Sequence, residues 1–195
     1  MAFHPVVVLP PGYTVLDLSR PWPGPSDAPA GPGPDAPVWT VGRYDEDRVI
    51  YTQPLFEGGR TLHVGIDLGG PEGTAVHAFG EGEVIHAGVN PAAGDYGPTL
   101  VTAHVFEGRP LYALFGHLAA ASLARSPVRR RFRAGDVLGW LGAEHENGGW
   151  PPHVHVQLAW ERPVTHDLPG AVRPADRADA LRRYPDPRRV LGPLY

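Results

Sequence analysis

Cysteine and lysine are absent from this chain of 195 residues, and each absence narrows its chemistry. Without cysteine there is no disulfide framework and no thiolate zinc site, so any bound metal must take its ligands from His, Asp or Glu. All cationic side chains are arginine, and the formal net charge of -4 gives no global field that would recruit nucleic acid or anionic lipid. We therefore expect neither a nucleic-acid partner nor a membrane partner.

Long hydrophobic runs are lacking as well. The apolar run from Val6 to Leu9 is too short for a signal peptide or a membrane span, and no basic residue precedes it. These features predict a cytoplasmic protein. The length of 195 residues and the hydrophobic content of 42% predict one domain with its own core.

Glycine and proline are abundant, with 25 and 24 residues, which disfavours long helices and favours short strands joined by turns. The sequence predicts an all-β fold, an antiparallel β-sandwich or open barrel with short peripheral helices. The predicted helices lie near Ala119–Ala124 and Pro174–Arg183. The predicted strands are Arg48–Thr52, Leu62–Leu68, Ala75–Ala78, Gly82–Gly88, Thr99–Val105, Leu111–Gly116, Val137–Leu141 and His153–Trp160.

The prolines are concentrated between Pro21 and Pro37, a stretch that predicts a loop or linker. This stretch divides the chain into three predicted parts. Residues 1–37 form an N-terminal segment with the Pro-rich loop, residues 38–162 form the β domain, and residues 163–195 form a C-terminal extension that packs on it.

The tightest histidine motif is His153-Val154-His155. Residues two apart on a strand point to the same face, roughly 6.5 Å apart along it, so both imidazoles reach one cavity while Val154, Val156 and Leu158 face a core. This spacing suits one histidine as a metal ligand and the other as a group that transfers a proton. A pair of half-buried strand histidines without a function remains the alternative.

A second motif places His63 four residues before Asp67. On a straight strand the two side chains would be roughly 13 Å apart, whereas zinc ligands converge to about 2 Å from the metal. The segment must therefore bend, and Gly65 is the residue that permits a bulge or a turn. Two histidines and a carboxylate would leave a fourth zinc position for water. A surface histidine beside an unrelated turn aspartate is the alternative.

His117 follows the apolar run Leu111–Phe115 and taken alone is a strand-end residue. The order His63-x-x-x-Asp67, then His117-Leu118, then His153-x-His155 resembles the lysostaphin-type (LytM-like) zinc metallopeptidases, from about Leu62 to Gln157. Two further stretches of sequence are also similar to that family, Gly82-Glu-Val-Ile and the residues from Phe132 to Gly139. The resemblance implies the family's all-β fold, with zinc bound by His63, Asp67 and His155, and His117 and His153 as the catalytic histidines.

Two departures refine the resemblance. Family members commonly continue the last motif as His-x-His-Phe-Glu, whereas Val156 and Gln157 stand here. The stretches beginning at Gly42, Glu146 and Asp186 look like an intracellular subgroup of such domains, fused to aminotransferase and aminoglycoside-phosphotransferase-like modules. A peptide-like or small amide substrate is therefore expected, and peptidoglycan crossbridges are not the favoured one.

Three functions remain open at this point. The first is a zinc hydrolase of metalloendopeptidase type that cleaves an amide bond with zinc-activated water. The second is a zinc hydrolase acting on a non-peptide intracellular substrate, and the third is a non-catalytic domain that binds a ligand. Trp150 is a candidate wall of the cleft and His145 a candidate substrate contact, while His86 and His104 are interpreted as structural. The oligomeric state is left open.

Overall fold

The computed structural model describes residues 3–20 and 39–195, so the predicted Pro-rich loop at 21–37 lies outside the described residues. Within them the chain is built mainly of strands, which confirms the predicted all-β class. The helices are α1 (Ala121–Arg125), α2 (Arg177–Arg183) and α3 (Arg188–Leu191). The strands are β1 (Thr14–Val15), β2 (Thr40–Gly42), β3 (Glu46–Asp47), β4 (Leu62–His63), β5 (Ile66–Gly69), β6 (Ala75–His77), β7 (Gly82–Asn90), β8 (Gly97–Phe106), β9 (Arg109–Gly116), β10 (Arg131–Phe132), β11 (Val137–Trp140), β12 (His153–Ala159) and β13 (Ala171–Val172).

One large sheet dominates the described residues. It has the order β1-β2-β5-β12-β9-β8-β7-β10, and two small sheets, β11-β6 and β13-β4-β3, accompany it. All the pairings are antiparallel except that of β1 with β2. The strand β12 lies between β5 and β9, so its side chains are placed beside those of both neighbours.

The two faces of β12 have different surroundings, as the alternation of its residues predicts. Val154, Val156 and Leu158 are 0% exposed and pack in the main hydrophobic cluster, together with Phe115 of β9 and Leu100 of β8. His153, His155 and Gln157 occupy the opposite face. One face of the strand therefore stabilises the fold and the other is available for chemistry.

Two predicted strands differ from the structure. The predicted strand Arg48–Thr52 is wrong: a turn occupies residues 49–50, and Ile50 and Tyr51 face a cavity where a partner strand would be needed. The predicted strand Leu62–Leu68 is divided into β4 and β5, which belong to different sheets, with a bend at Gly65 between them. That bend is the one required for the residues on its two sides to converge.

The C-terminal residues contact the β domain at several points. β13 pairs with β4, the Trp160 N–H donates to the Arg183 carbonyl (3.1 Å), and the Tyr44 hydroxyl donates to the Tyr184 carbonyl (2.7 Å). The second predicted helix begins as a 3-10 turn at Pro174–Asp176 and continues as α2. None of the helices formed by residues 3–20 and 39–195 is long and apolar enough to cross a membrane.

Candidate active site

The register of β12 against its two neighbours assembles the predicted residues. His155 lies opposite Asp67 of β5 on one side and opposite Gly116 of β9 on the other. Gly116 directly precedes His117, so that histidine reaches the same end of the sheet. His63 lies at the end of β4, before the bend, and the bend brings it beside Asp67 of β5. The structure thus brings together all five residues that the sequence singled out.

Three atoms converge at the centre of this group. His63 Nε2 lies 2.9 Å from His155 Nδ1 and 3.3 Å from Asp67 Oδ1, and His155 Nδ1 lies 3.0 Å from Asp67 Oδ1. Tetrahedral zinc with bonds of about 2.0–2.1 Å holds its ligand atoms about 3.3 Å apart. The separations observed here are close to that value, so the three atoms fit a zinc ion.

The outer nitrogens of the two histidines determine what the inner ones can do. His63 Nδ1–H donates to the Arg43 carbonyl (2.8 Å), and His155 Nε2–H donates to Gln157 Oε1 (3.2 Å). In the neutral rings, His63 Nε2 and His155 Nδ1 therefore carry lone pairs, and Asp67 contributes a carboxylate oxygen. Three electron-rich atoms this close repel one another unless a proton or a metal ion lies between them. The donor set fits a metal ion.

Arg48 holds the second oxygen of the aspartate. Its guanidinium is 3% exposed and donates to Asp67 Oδ2 (2.7 Å), to Glu46 Oε2 (3.0 Å) and to the Arg43 carbonyl (3.2 Å). Burial alone would raise the pKa of Asp67, but the surrounding charges, that of Arg48 among them, hold that pKa well below its usual range. Asp67 is therefore ionised, with Oδ2 bound to Arg48 and Oδ1 directed at the two histidines.

Two glycines make room for this arrangement. A Cβ atom on Gly65 would lie 2.3 Å from His155 Cε1 and 2.5 Å from its Nε2, so the ring packs directly on the backbone. A Cβ on Gly42 would lie 2.8 Å from both Arg48 Nη2 and Asp67 Oδ2. The prediction of a bend at Gly65 is confirmed, and the lack of a side chain there has this second reason, which the sequence alone did not indicate.

His117 and His153 form a second pair beside the three converging atoms. His117 Nδ1–H donates to the Asn147 carbonyl and His153 Nδ1–H to the Pro151 carbonyl, each at 2.7 Å. Their ring centroids are 4.2 Å apart, and His153 Nε2 lies 3.9 Å from Asp67 Oδ1. In both neutral rings Nε2 carries the lone pair, which makes each a proton acceptor.

Burial lowers the pKa of His153, and burial together with the neighbouring His153 holds the pKa of His117 well below its ordinary value. His117 also has a φ of 60°, a left-handed conformation that costs a non-glycine residue of order 1–3 kcal/mol. Its N–H donates to the Tyr96 carbonyl (2.7 Å) and its carbonyl accepts from Gly142 N–H (3.0 Å), and these bonds stabilise the strained backbone.

Arg48, Glu46 and Tyr96 are site residues that the sequence analysis missed. The Tyr96 ring lies 5.1 Å from the His155 ring and 5.5 Å from that of His117, and its hydroxyl donates to the Leu168 carbonyl (3.0 Å). A charged run precedes the predicted strand at Arg48, but nothing in its spacing indicates contact with Asp67. The contact depends on how the small sheet β13-β4-β3 meets the large sheet that contains β5.

Gln157 is the residue that departs from the common family motif. Its side chain is buried, and both the amide nitrogen and the amide oxygen have hydrogen-bond partners. Its Nε2–H donates to the Pro169 carbonyl (3.3 Å), while Oε1 accepts from His155 Nε2–H. The amide thus provides the acceptor that orients His155 without adding a second buried negative charge. The substitution is compatible with the site.

The five residues open onto one cavity of about 860 Å³. Trp150 lines it, as expected of a cleft wall, whereas His145 is exposed and does not. His104 is buried against Phe79 with its ring bonded to Thr102 and to the Glu81 carbonyl, a structural role. His86 bonds the Pro163 carbonyl at 3.0 Å, also away from the cavity.

Comparisons with known proteins find similarity to peptidases. The family model described as peptidase family M23 matches residues 61–166, more than half of the chain. The DD-carboxypeptidase/endopeptidase Mpg of Neisseria meningitidis serogroup B is 35% identical over 96 residues, which are 49% of this chain and 20% of the relative. The protein of the same name from Neisseria gonorrhoeae gives the same figures. The chain thus spans about a fifth of the length of these curated relatives.

Solved structures in the comparison include two catalytic domains. The catalytic domain of lysostaphin from Staphylococcus simulans is 21% identical, with a TM-score of 0.42, over 60% of this chain and 80% of that one. The catalytic domain of the prophage-encoded M23 protein EnpA from Enterococcus faecalis is 22% identical, with a TM-score of 0.45, over 77% of this chain and 96% of that one. With the family model matching across all five site residues, the chain belongs to peptidase family M23.

Proposed function

We propose that this chain is a zinc-dependent peptidase that hydrolyses an amide bond, with His63, Asp67 and His155 as the metal ligands. One observation carries the proposal: three lone-pair atoms converge within 3.3 Å, and the basic nitrogens of two further histidines stand beside them. Membership of the M23 family supports it. A bound zinc ion supplies Lewis acidity that polarises a carbonyl group and lowers the pKa of water.

The remaining two histidines, His117 and His153, handle protons in this proposal. Their lowered pKa values keep both rings neutral near pH 7, so an Nε2 atom accepts the proton of the attacking water. The protonated ring then donates to the nitrogen of the leaving amine. Because the rings are 4.2 Å apart, a proton on one disfavours a proton on the other. At most one of the two rings is therefore protonated at a time, and the other stays neutral.

The substrate is proposed to be a peptide or a small amide. The Neisseria relatives are named DD-carboxypeptidase/endopeptidase, which supports peptides containing D-residues among the candidates. The expected cytoplasmic location supports intracellular amides instead. A panel that contains both classes is thus needed, together with glycine-rich peptides and non-peptide esters.

The test measures hydrolysis across that panel by the wild type and by His117→Ala and His153→Ala. We expect either substitution to lower kcat by roughly 10²–10⁴-fold, the contribution typical of acid–base catalysis. Zinc content should stay at the wild-type level. His145→Ala, an exposed histidine outside the cavity, serves as the matched control and should leave the rate unchanged.

Each alternative gives a different result in the same experiment. Hydrolysis confined to esters or other non-amide compounds would indicate a zinc hydrolase with a non-peptide substrate. Zinc binding without any turnover would indicate a ligand-binding domain. Turnover that both histidine variants retain would exclude the catalytic roles assigned here.

A further inference from the structure

The cavity that contains the five site residues extends well beyond them. Its volume of about 860 Å³ lies in the range of about 300–1,000 Å³ that small-molecule ligands occupy. An amide group alone would fill only a small part of it. Away from the histidines, the described side chains that line it are largely apolar and include Leu16, Leu18, Ile50, Tyr51, Phe56 and Trp150.

Three aromatic rings form one wall of this cavity, and the part of the cavity beside them is called the aromatic chamber. The Tyr51 and Phe56 rings stack with centroids 4.2 Å apart and an interplanar angle of 16°. The Trp150 ring stands edge-on to both, with centroids 6.2 and 6.5 Å away. Aromatic groups attract one another in stacked and edge-to-face geometries, so a wall of this kind favours an aromatic or other bulky apolar group.

These rings are not explained by the packing of the fold. None of the three belongs to the hydrophobic core clusters formed by the described residues, and all three are half-buried. Polar contacts nevertheless fix the orientations of Trp150 and Tyr51, and Phe56 stacks on the Tyr51 ring. Trp150 Nε1–H donates to the Gly94 carbonyl (3.1 Å), and the Tyr51 hydroxyl accepts from Arg48 Nη1 (3.1 Å). An apolar surface held rigid outside the core is a preorganised contact for a ligand.

Arg48 places this wall directly beside the candidate metal centre. One nitrogen, Nη1, contacts both the Tyr51 hydroxyl and Asp67 Oδ2. A group packed on the Tyr51 ring is therefore separated from the aspartate by a single guanidinium. This placement favours a substituent close to the reacting bond over a remote part of a long substrate.

We propose that the aromatic chamber is a subsite for a bulky apolar substituent, an aromatic or branched aliphatic side chain or acyl group, adjacent to the scissile amide. This inference rests on the proposed function, because a substrate subsite requires that the neighbouring residues cleave an amide bond. A substrate that offers only glycine beside the bond would leave the chamber without a contact. The subsite therefore determines specificity.

The test measures binding, so that it does not depend on turnover. Isothermal titration calorimetry with the full chain compares N-acetyl-phenylalanine methylamide with N-acetyl-glycine methylamide. We expect the phenylalanine probe to bind roughly tenfold tighter or more, since differences of one methylene in an apolar pocket already give about tenfold. Equal affinities for the two probes would overturn the subsite.

Substitutions in the aromatic wall test whether the preference for the phenylalanine probe arises there. Phe56→Ala should reduce the ratio of the two affinities by about fivefold or more, and Phe56→Leu should retain part of it. Val105→Ala, which changes a valine that is 78% exposed and outside the cavity, is the control and should leave the ratio unchanged. Thermal unfolding checks that each variant is folded. A ratio unaffected by Phe56→Ala would contradict the inference.

The experiments distinguish failure of the subsite from failure of the proposed function. A chain that binds no zinc and hydrolyses nothing, yet prefers the phenylalanine probe, would contradict the proposed function and support the subsite. A chain that hydrolyses glycine and phenylalanine amides equally well would support the proposed function and contradict the subsite.

Discussion

At the scale of single residues, the contacts of Arg48 govern how Asp67 is presented. The guanidinium lies between two carboxylates, those of Glu46 and Asp67, in a place that water hardly reaches. Each carboxylate is tolerated there because the cation is present. The same contact reserves one aspartate oxygen for Arg48 and leaves the other for the metal, so the ion pair organises the proposed ligand set.

Replacing the cation should therefore be costly. Arg48→Leu leaves Glu46 and Asp67 buried without a counter-charge, and breaking a buried pair in this way typically lowers the free energy of unfolding by about 3–5 kcal/mol. Urea unfolding at pH 7 in the presence of a chelator measures the change. Arg131→Leu breaks the exposed pair with Glu83 and should change stability by less than about 1 kcal/mol. Equal effects of the two substitutions would contradict this account.

The site residues that belong to sequence motifs could be predicted from the sequence. His63, Asp67, His117, His153 and His155 stand at spacings that indicate shared faces or a recognisable order, and the structure places them together. Arg48 and Tyr96 carry no such pattern, because their roles depend on contacts with residues far along the chain. Whether the five residues act as ligands and catalysts stays a prediction until metal and activity are measured.

At the scale of elements, the division between β4 and β5 matters most. The alternating sequence of Leu62–Leu68 predicted one strand. In the structure its first half pairs with β13 and its second half with β12. The long strands β7, β8, β9 and β12 were predicted within a few residues of their observed ends, since each has enough residues to show a pattern. Two-residue strands such as β3 and β13 carry no pattern and were missed.

The bend between β4 and β5 gives a sharp prediction. Gly65→Ala places a methyl group within 2.5 Å of the His155 ring, which must then move. We expect zinc affinity to fall about tenfold or more and the free energy of unfolding to fall by about 1–3 kcal/mol, as overpacking usually causes. Competition with a chromophoric chelator measures the affinity.

Gly80→Ala is the matched control for that measurement. Its added Cβ would meet only Phe3 Cδ1 at 3.9 Å, an ordinary contact, so zinc affinity should not change. Should Gly65→Ala bind zinc as tightly as this control, the close packing of His155 on the backbone would not matter for the site.

At the scale of the whole molecule, buried His104 predicts how stability depends on pH. Burial lowers its pKa from 6.5 to about 4, so the folded chain resists protonation that the unfolded chain accepts. Stability is therefore lost as pH falls from about 6.5 towards 4. A shift of this size corresponds to about 3 kcal/mol.

The contribution of His104 is isolated by comparing the wild type with His104→Phe in the presence of a chelator. The histidines of the candidate site titrate in both proteins, so their effect cancels in the comparison. Between pH 7 and pH 4, the free energy of unfolding should fall by about 3 kcal/mol more in the wild type than in the variant. Parallel pH profiles would show that His104 is not held neutral by the fold.

Other properties of the whole chain remain predictions. The net charge of -4 still gives no reason to expect nucleic acid as a partner. The cytoplasmic location awaits cell fractionation, and the division at residues 37 and 162 awaits limited proteolysis. Composition predicted the all-β class correctly because glycine and proline act locally, whereas substrate, location and oligomeric state depend on surroundings that a sequence does not contain.

The central claim is that three convergent lone pairs form a zinc site, and zinc content tests it most directly. The protein is equilibrated with zinc, freed of excess metal and analysed by mass spectrometry. We predict about one zinc ion per chain in the wild type and in the control His77→Ala, a histidine outside the cavity, and none in Asp67→Ala. A wild type without zinc, or an Asp67→Ala variant that retains it, would contradict the account.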